Sequence, residues 1–317
     1  MSPKADTKEP VAAVEADIGS ALGFETELKK LQLTIARWVD ECNKEMDDCL
    51  RWQFSGKSKY FRPVTVFACF RAMNNQHVGD AEQTSALVIE LIHNMTLIVD
   101  DILDKSEYRR GKLTLHCQFG LLPALMTSGY IVSEAYRIVG SRPASIQLLS
   151  ELIGRLGIAE CLQWRVRSQP LGVEDWRQIA GEDTGSMFEV CACLGGGGEN
   201  LRRFGRLLGM LYHGCDDVAD VRGVEALGGG GDDDIRDGIL TLPAAIAIRN
   251  PETAAIFCNP DHRKREVLAV AFRAALPEAE QFLDEIAAEA CREATKNAPY
   301  PQGLLTLVDY TRGLSRR

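Results

Sequence analysis

The chain has 317 residues, with 36 Lys and Arg against 45 Asp and Glu, a formal charge of −9. That balance excludes a general nucleic-acid binder, which needs a basic face. Hydrophobic residues make up 45% and charged residues 26%, ordinary globular usage, and no apolar run of about 18 residues is present to span a membrane.

Residues 1–15 are charged, carry Pro3 and Pro10 and have no hydrophobic period, so a loose tail is expected there. Met1 to Pro10 also lack the apolar segment of a secretory signal. From Glu15 the pattern turns helical: Leu28, Leu31, Ile35, Trp38, Val39 and Cys42 recur at steps of three and four. The next helix covers about Ala81 to Leu103 and is apolar nearly all round, which marks it as central and buried. Further helices are expected at 121–138, 143–166, 172–194, 199–220, 241–249, 262–275, 276–296 and 302–314. Pro123, Pro143 and Pro170 fall at starts or links, and Pro277 can occupy a first turn. The runs Gly195–Gly198 and Gly228–Gly231 read as loops, and no stretch alternates like a paired strand. No linker divides the composition, so one all-α domain over 16–317 is expected.

The 10 cysteines sit mostly inside apolar helical patterns. No CxxC occurs, and the lone CxC at Cys191 and Cys193 has no His nearby. Free buried thiols in a reducing cytoplasm explain them better than zinc or disulfides.

Asp100, Asp101 and Asp104 form DDxxD where the central helix ends. Positions i and i+4 share a helix face, so Asp100 and Asp104 project together. A single such cluster reads equally well as a solvated helix end. A second copy, Asp216, Asp217 and Asp220, follows the apolar run Leu207, Leu208, Met210 and Leu211. Two carboxylate sets facing each other inside a bundle would hold magnesium, a hard cation that prefers carboxylate and phosphate oxygens. Magnesium would clamp a diphosphate leaving group. Arg109 and Arg110, just after the first cluster, suit bidentate phosphate recognition.

The stretch from Glu90-Leu-Ile-His-Asn94 through Asp100-Asp-Ile-Leu-Asp104 to Arg109-Arg-Gly111 resembles the first aspartate-rich region of trans-isoprenyl diphosphate synthases. Leu211 to Asp220 resembles the second region, and Asp234 to Pro243 the segment that follows it. Lys57-Ser-Lys-Tyr-Phe-Arg-Pro63 is similar to the family's upstream basic segment. The wording around His93-Asn94 is nearest to eukaryotic-type geranylgeranyl diphosphate synthases.

This resemblance implies an all-α isoprenoid-synthase bundle with a deep central apolar cavity, assembled as a homodimer. It implies a prenyltransferase that joins isopentenyl diphosphate to an allylic diphosphate with Mg2+. Lys59, Arg62, His93 and Arg110 would hold isopentenyl diphosphate, and Arg109 the allylic diphosphate. Asp100, Asp104 and Asp216 would be metal ligands, with Asp101, Asp217 and Asp220 ligands or close behind. Thr184 would lie near the reacting carbons. Taken alone, His93 reads as a core histidine and Lys59 and Arg62 as surface charges; their order before DDxxD turns them toward substrate.

The chain departs from the family at several points. Asp183 and Ile239 stand where lysines are usual, His213 replaces a glutamine, and Glu160 and Gln163 replace a glutamine and an aspartate. Two further readings stay open at this level: a terpene synthase of the same fold, and a non-catalytic partner subunit. For product length, Met95 and Thr96 precede Asp100 by five and four residues, and Tyr130, Val132 and Ser133 offer further wall. None of Met95, Thr96, Val132 or Ser133 makes a rigid aromatic floor, so a geranylgeranyl product is expected, with longer favoured over shorter.

Overall fold

A computed structural model describes residues 17–56, 58–223, 231–259 and 265–316. The expected tail at 1–15 and residues 228–230 of the second glycine run lie outside them.

The chain starts with α1 (Ile18–Ala21) and α2 (Glu25–Asp40), whose buried Leu31, Ile35, Trp38 and Val39 follow the expected period. Then come α3 (Asp47–Phe54), α4 (Phe61–Asn74) and α5 (Asp80–Leu103). The start of α5 is set by Glu82, whose carboxylate accepts from the Gly79 N–H at 2.9 Å. Its interior, Leu87 to Ile92, is buried on every side, as its all-round apolar pattern requires. It packs against α2, α4 and α7 (Leu121–Val139) and is the axis of the first half of the molecule.

Between α5 and α7 lie a short hairpin and α6 (Leu115–Phe119). Strand β1 (Tyr108–Arg109) pairs antiparallel with β2 (Lys112–Leu113), Tyr108 opposite Leu113. Arg110 (φ 53°) and Gly111 (φ 76°) form the two-residue turn, the left-handed pair that a tight hairpin demands. Two residues per strand are too few to show alternation, so the sequence pattern misses this ribbon.

The second half is α8 (Pro143–Arg165), α9 (Val173–Glu182), α10 (Thr184–Ala192) and α11 (Arg202–Arg222). It continues through α12 (Gly231–Asp237), α13 (Leu242–Ala247), α14 (Pro251–Phe257), α15 (Arg265–Asn297) and α16 (Gln302–Gly313). Three expectations change here. The helix expected over 172–194 is broken at Asp183 (φ −80°, ψ −103°). Ser186 causes the break locally, because both its N–H and its hydroxyl donate to the Asp183 carbonyl, at 3.1 and 2.8 Å. The run Gly195–Gly198 is not an open loop: residues 193–197 extend α10 as a wider turn, and a Cβ on Gly195 would lie 2.5 Å from the Val66 carbonyl. The helices expected at 262–275 and 276–296 are one, with Pro277 inside it. An interior proline costs about 3 kcal/mol. Burial of Phe272, Ala275, Ala279 and Leu283, which carry one apolar face across the proline against α11 and α13, offsets it.

α10 packs closely on α11, and glycines allow it. A Cβ on Gly209 would lie 2.6 Å from the Thr184 carbonyl and 2.7 Å from Gly185 Cα. Gly209→Ala is therefore expected to destabilise the protein by about 1–3 kcal/mol through overpacking. Gly129→Ala, in α7 with nothing within 4 Å, should instead gain about 0.5–1 kcal/mol. Thermal melts of the two variants check the contrast; equal shifts would contradict this packing.

All 10 cysteines are described and all are free thiols. Among the described residues no helix is long and apolar enough to cross a membrane.

Candidate active site

The first aspartate cluster closes α5. Asp104 is the residue just past the last turn, where the helix dipole is already negative and no basic residue of the helix compensates. The second cluster closes α11. Each has the same internal division. The middle carboxylate is buried and tied down: Asp101 accepts from Arg109 Nε at 2.6 Å. Asp217 Oδ2 accepts from Trp176 Nε1 and from the Leu242 N–H, both at 2.8 Å. The flanking members, Asp100 with Asp104 and Asp216 with Asp220, are spaced four apart and only partly buried or exposed.

Electrostatics bring the two sets together. Burial, then Glu160 and Asp183, push the Asp100 carboxyl well above the usual range. Burial, then Asp220 and Asp217, push Asp216 up to about 7. Asp234, on α12, is raised by burial and then by Asp217, Asp220, Asp216 and Asp104. One carboxyl therefore feels both clusters, so they face a common space. The sequence reading gave Asp234 no role. Glu160, singled out there only as a departure, is held up to about 7 by burial and by Asp183 and Asp104.

Crowded oxygen donors that resist ionisation are the setting in which a hard divalent cation fits. Among the described residues no three of these side chains close around a point by themselves.

Two cavities flank α5. One, of about 310 Å³, runs between α5, α8 and α10. Met95, Thr96, Val99 and Leu103 line it from α5; Ile153, Leu156 and Gly157 from α8; and Met187 from α10. Asp100, Glu160, Asp183 and Thr184 also line it. The other, of about 470 Å³, is lined by Ser58, Tyr60, Glu90, His93, Asn94, Arg109, Arg110 and Lys112 among others. His93 borders both.

His93 is held neutral: burial, then Arg62, Arg110 and Arg109, push its imidazolium well below the ordinary value. Its Nε2 accepts from Arg62 Nη1 at 3.1 Å, which leaves the proton on Nδ1. That Nδ1 and Arg62 Nε are buried donors with no hydrogen-bond partner among the described residues. An anion would satisfy them, whereas a merely structural histidine would be expected to have both nitrogens engaged. Behind them Glu90 is buried, accepts from Ser58 Oγ at 2.8 Å and is raised by burial against the pull of Ser58, Arg62 and Arg110. Glu90 opens the stretch that resembles the first aspartate-rich region, but the sequence assigns it no role.

The basic residues are spread over both cavities. Arg110 lines the larger cavity and Arg62 the smaller, joined through His93. Lys59 is exposed, and its charge acts on Asp216 of the second cluster. The hairpin explains the arginine pair: Arg109 in the strand reaches Asp101, while Arg110 occupies the turn.

The kink at Asp183 places Thr184 against α11. The Thr184 hydroxyl lies 3.0 Å from His213 Nδ1 and 3.3 Å from Asp183 Oδ2. Burial opposes protonation of His213, but Asp217, Asp183, Asp216 and Glu160 outweigh it and hold the imidazole above its ordinary value. Of the proposed length-setting residues, Met95 and Thr96 line the smaller cavity. Tyr130, Val132 and Ser133 do not line it: Tyr130 Oη accepts from the Asn43 N–H at 3.4 Å, and Ser133 is exposed.

An all-α bundle carrying two facing aspartate clusters beside an apolar cavity defines an isoprenoid-synthase type of protein. The polyprenyl synthetase family model matches residues 43–277, and the chain belongs to that family; it is a trans-prenyltransferase, a trans-isoprenyl diphosphate synthase. It is 29% identical over 308 residues to nonaprenyl diphosphate synthase of Mycobacterium tuberculosis, covering 90% of each chain. It is 29% identical to geranylgeranyl pyrophosphate synthase 4 of Arabidopsis thaliana, over 74% of this chain and 70% of that one. Its fold matches heptaprenyl diphosphate synthase of Staphylococcus aureus with a TM-score of 0.81 at 21% identity, over 92% of this chain and 98% of the other.

Proposed function

We propose that this chain joins isopentenyl diphosphate to an allylic diphosphate, head to tail and with magnesium, to make geranylgeranyl diphosphate or a longer homologue. The observation that carries this reading is that Asp234 feels Asp104 of the first cluster and Asp216, Asp217 and Asp220 of the second, while Asp100 of the first cluster lines an apolar cavity. Magnesium, when bound, supplies charge that stabilises the departing pyrophosphate.

The chain's own residues do the rest. Asp100, Asp104, Asp216 and Asp220 offer the ligand oxygens, while Asp101 and Asp217 fix the ends of α5 and α11. Arg109 sits beside the first cluster, on the allylic side. Arg110, Arg62 and His93 hold the acceptor diphosphate, with Lys59 at the rim. Met95, Val99, Leu156 and Met187 keep water from the allylic cation. The isopentenyl double bond attacks that cation, and a proton then leaves to the pyrophosphate. Thr184, bridged to His213, stands beside the reacting carbons.

The larger cavity, with Arg110 and His93 at its wall, favours a second substrate over a terpene synthase that only ionises one. A homodimer in the cytoplasm completes the reading. Leu121, Leu122, Leu125 and Met126, exposed side by side on α7, suit a paired surface, and the free thiols suit a reducing compartment.

The test is incubation of the purified protein with magnesium, isopentenyl diphosphate and each allylic diphosphate in turn. Chain extension is the expected result. Release of diphosphate without extension, or no turnover with any pair, would remove this reading.

A further inference from the structure

Positive charge is scarce where the two aspartate clusters meet. Positions 183 and 239, where the resembled family usually carries lysines, hold Asp and Ile. A guanidinium nevertheless reaches Asp104, from an element assigned to neither cluster: the turn that follows α8. Arg167 Nη2 donates to Asp104 Oδ1 at 3.1 Å, and Nη1 lies 4.0 Å from Asp237 Oδ2. Its side chain is 19% exposed, and Nε is a buried donor with no hydrogen-bond partner among the described residues. The guanidinium stacks 4.4 Å from the Trp164 ring, which fixes its plane.

The backbone beneath it is clamped. Ser168 is left-handed (φ 57°), and its N–H donates to the Gly238 carbonyl at 2.8 Å. Gly238 is also left-handed, and a Cβ there would come 2.1 Å from Ser168 Oγ. The turn bearing Arg167 is thus sealed to the end of α12, the helix that carries Asp234. One side chain is held between the first cluster and the segment following the second.

An ion pair to Asp104, whose side chain is 44% exposed, contributes little to stability. An orphaned buried N–H is unfavourable. A purely structural pin explains neither the orphan nor the fixed plane; a binding group awaiting an anion explains both.

We propose that Arg167 binds the diphosphate of the allylic substrate, on the α8 side of the metal-binding aspartates. The inference rests on the prenyl diphosphate reading above. With Asp104 engaged by a cation, the planar fork of Arg167 is released toward diphosphate oxygens, which it can meet two at a time.

The experiment is calorimetric titration of inorganic pyrophosphate with magnesium into wild type, Arg167→Ala and Arg167→Lys, beside steady-state kinetics and thermal melts. Arg167→Ala is expected to weaken pyrophosphate binding and raise the allylic KM by at least about tenfold, with the isopentenyl diphosphate KM little changed. Arg167→Lys should recover part of the loss, since it keeps the charge but not the fork. Wild-type pyrophosphate affinity in Arg167→Ala, or an equal rise in both KM values, overturns the assignment while leaving the parent reading intact. A wild-type protein that binds no pyrophosphate overturns both.

Discussion

Asp100→Ala and Asp216→Ala are each expected to lower turnover by about 10²–10³-fold, the loss typical of removing one preorganised charge from a reacting site. Chelation of divalent ions by EDTA should abolish turnover in the wild type. The same substitutions should not weaken the metal-free fold. Burial and then Glu160 and Asp183 raise Asp100, so the native structure holds that carboxylate at a disadvantage. Removing it relieves repulsion, and the metal-free melting temperature should hold or rise. A matching pH dependence follows. Asp216 titrates at about 7 in the fold, against 3.8 as its unperturbed value. A pKa raised by folding means stability that is full below the unfolded value and lost as pH rises through the folded one. The metal-free melting temperature should therefore fall between about pH 4 and pH 7, and added magnesium should restore more of it at the upper end. Melts and rates measured on one preparation check all three outcomes. Full activity in EDTA, or a wild-type rate in Asp100→Ala, would refute the metal-cluster assignment.

Much of this site is legible in the sequence because its determinants are local and periodic. DDxxD on a helix puts Asp100 beside Asp104 wherever the helix goes, and the apolar run before it requires that the helix be buried. The division of labour inside each cluster is not local. That Asp101 is consumed by Arg109 depends on a six-residue hairpin, and that Asp217 is consumed by Trp176 and Leu242 depends on α9 and α13 arriving from elsewhere. Glu90 and Asp234 escape notice for the same reason. A lone acid carries no spacing signal; only burial beside Arg62 and Arg110, or between two aspartate clusters, gives it a role. Arg167 carries no spacing signal either; the Ser168–Gly238 clamp gives it its place. Fold errors have a similar origin. Proline at 277 breaks helices by local propensity, but a continuous apolar face across it keeps α15 whole.

Met95→Phe is expected to shorten the product, cutting the share extended past farnesyl diphosphate by about 10–100-fold. Met95 and Thr96 line the smaller cavity more than one helical turn deeper than Asp100, on the path a growing chain takes away from the diphosphate. Among the described residues no Phe, Tyr or Trp lines that cavity; opposite stand Ile153, Leu156 and Gly157, the last without a side chain. Methionine can bend out of the way of a prenyl tail because it is unbranched, whereas a phenyl ring cannot. Forcing an extra isoprene unit against the ring would cost about 1–3 kcal/mol, the usual penalty of overpacking, which gives the stated range at 1.4 kcal/mol per tenfold. The penalty falls only on the elongation step that needs the blocked space, so the first condensation should keep its rate. Ser133→Phe is the control: the side chain is exposed on α7 and does not line the cavity, so its product should match the wild type. Chromatography of the dephosphorylated products of the three proteins decides the matter. An unchanged distribution in Met95→Phe would mean that the chain does not run along this face of α5, and a shift in Ser133→Phe would move the length-setting wall to α7.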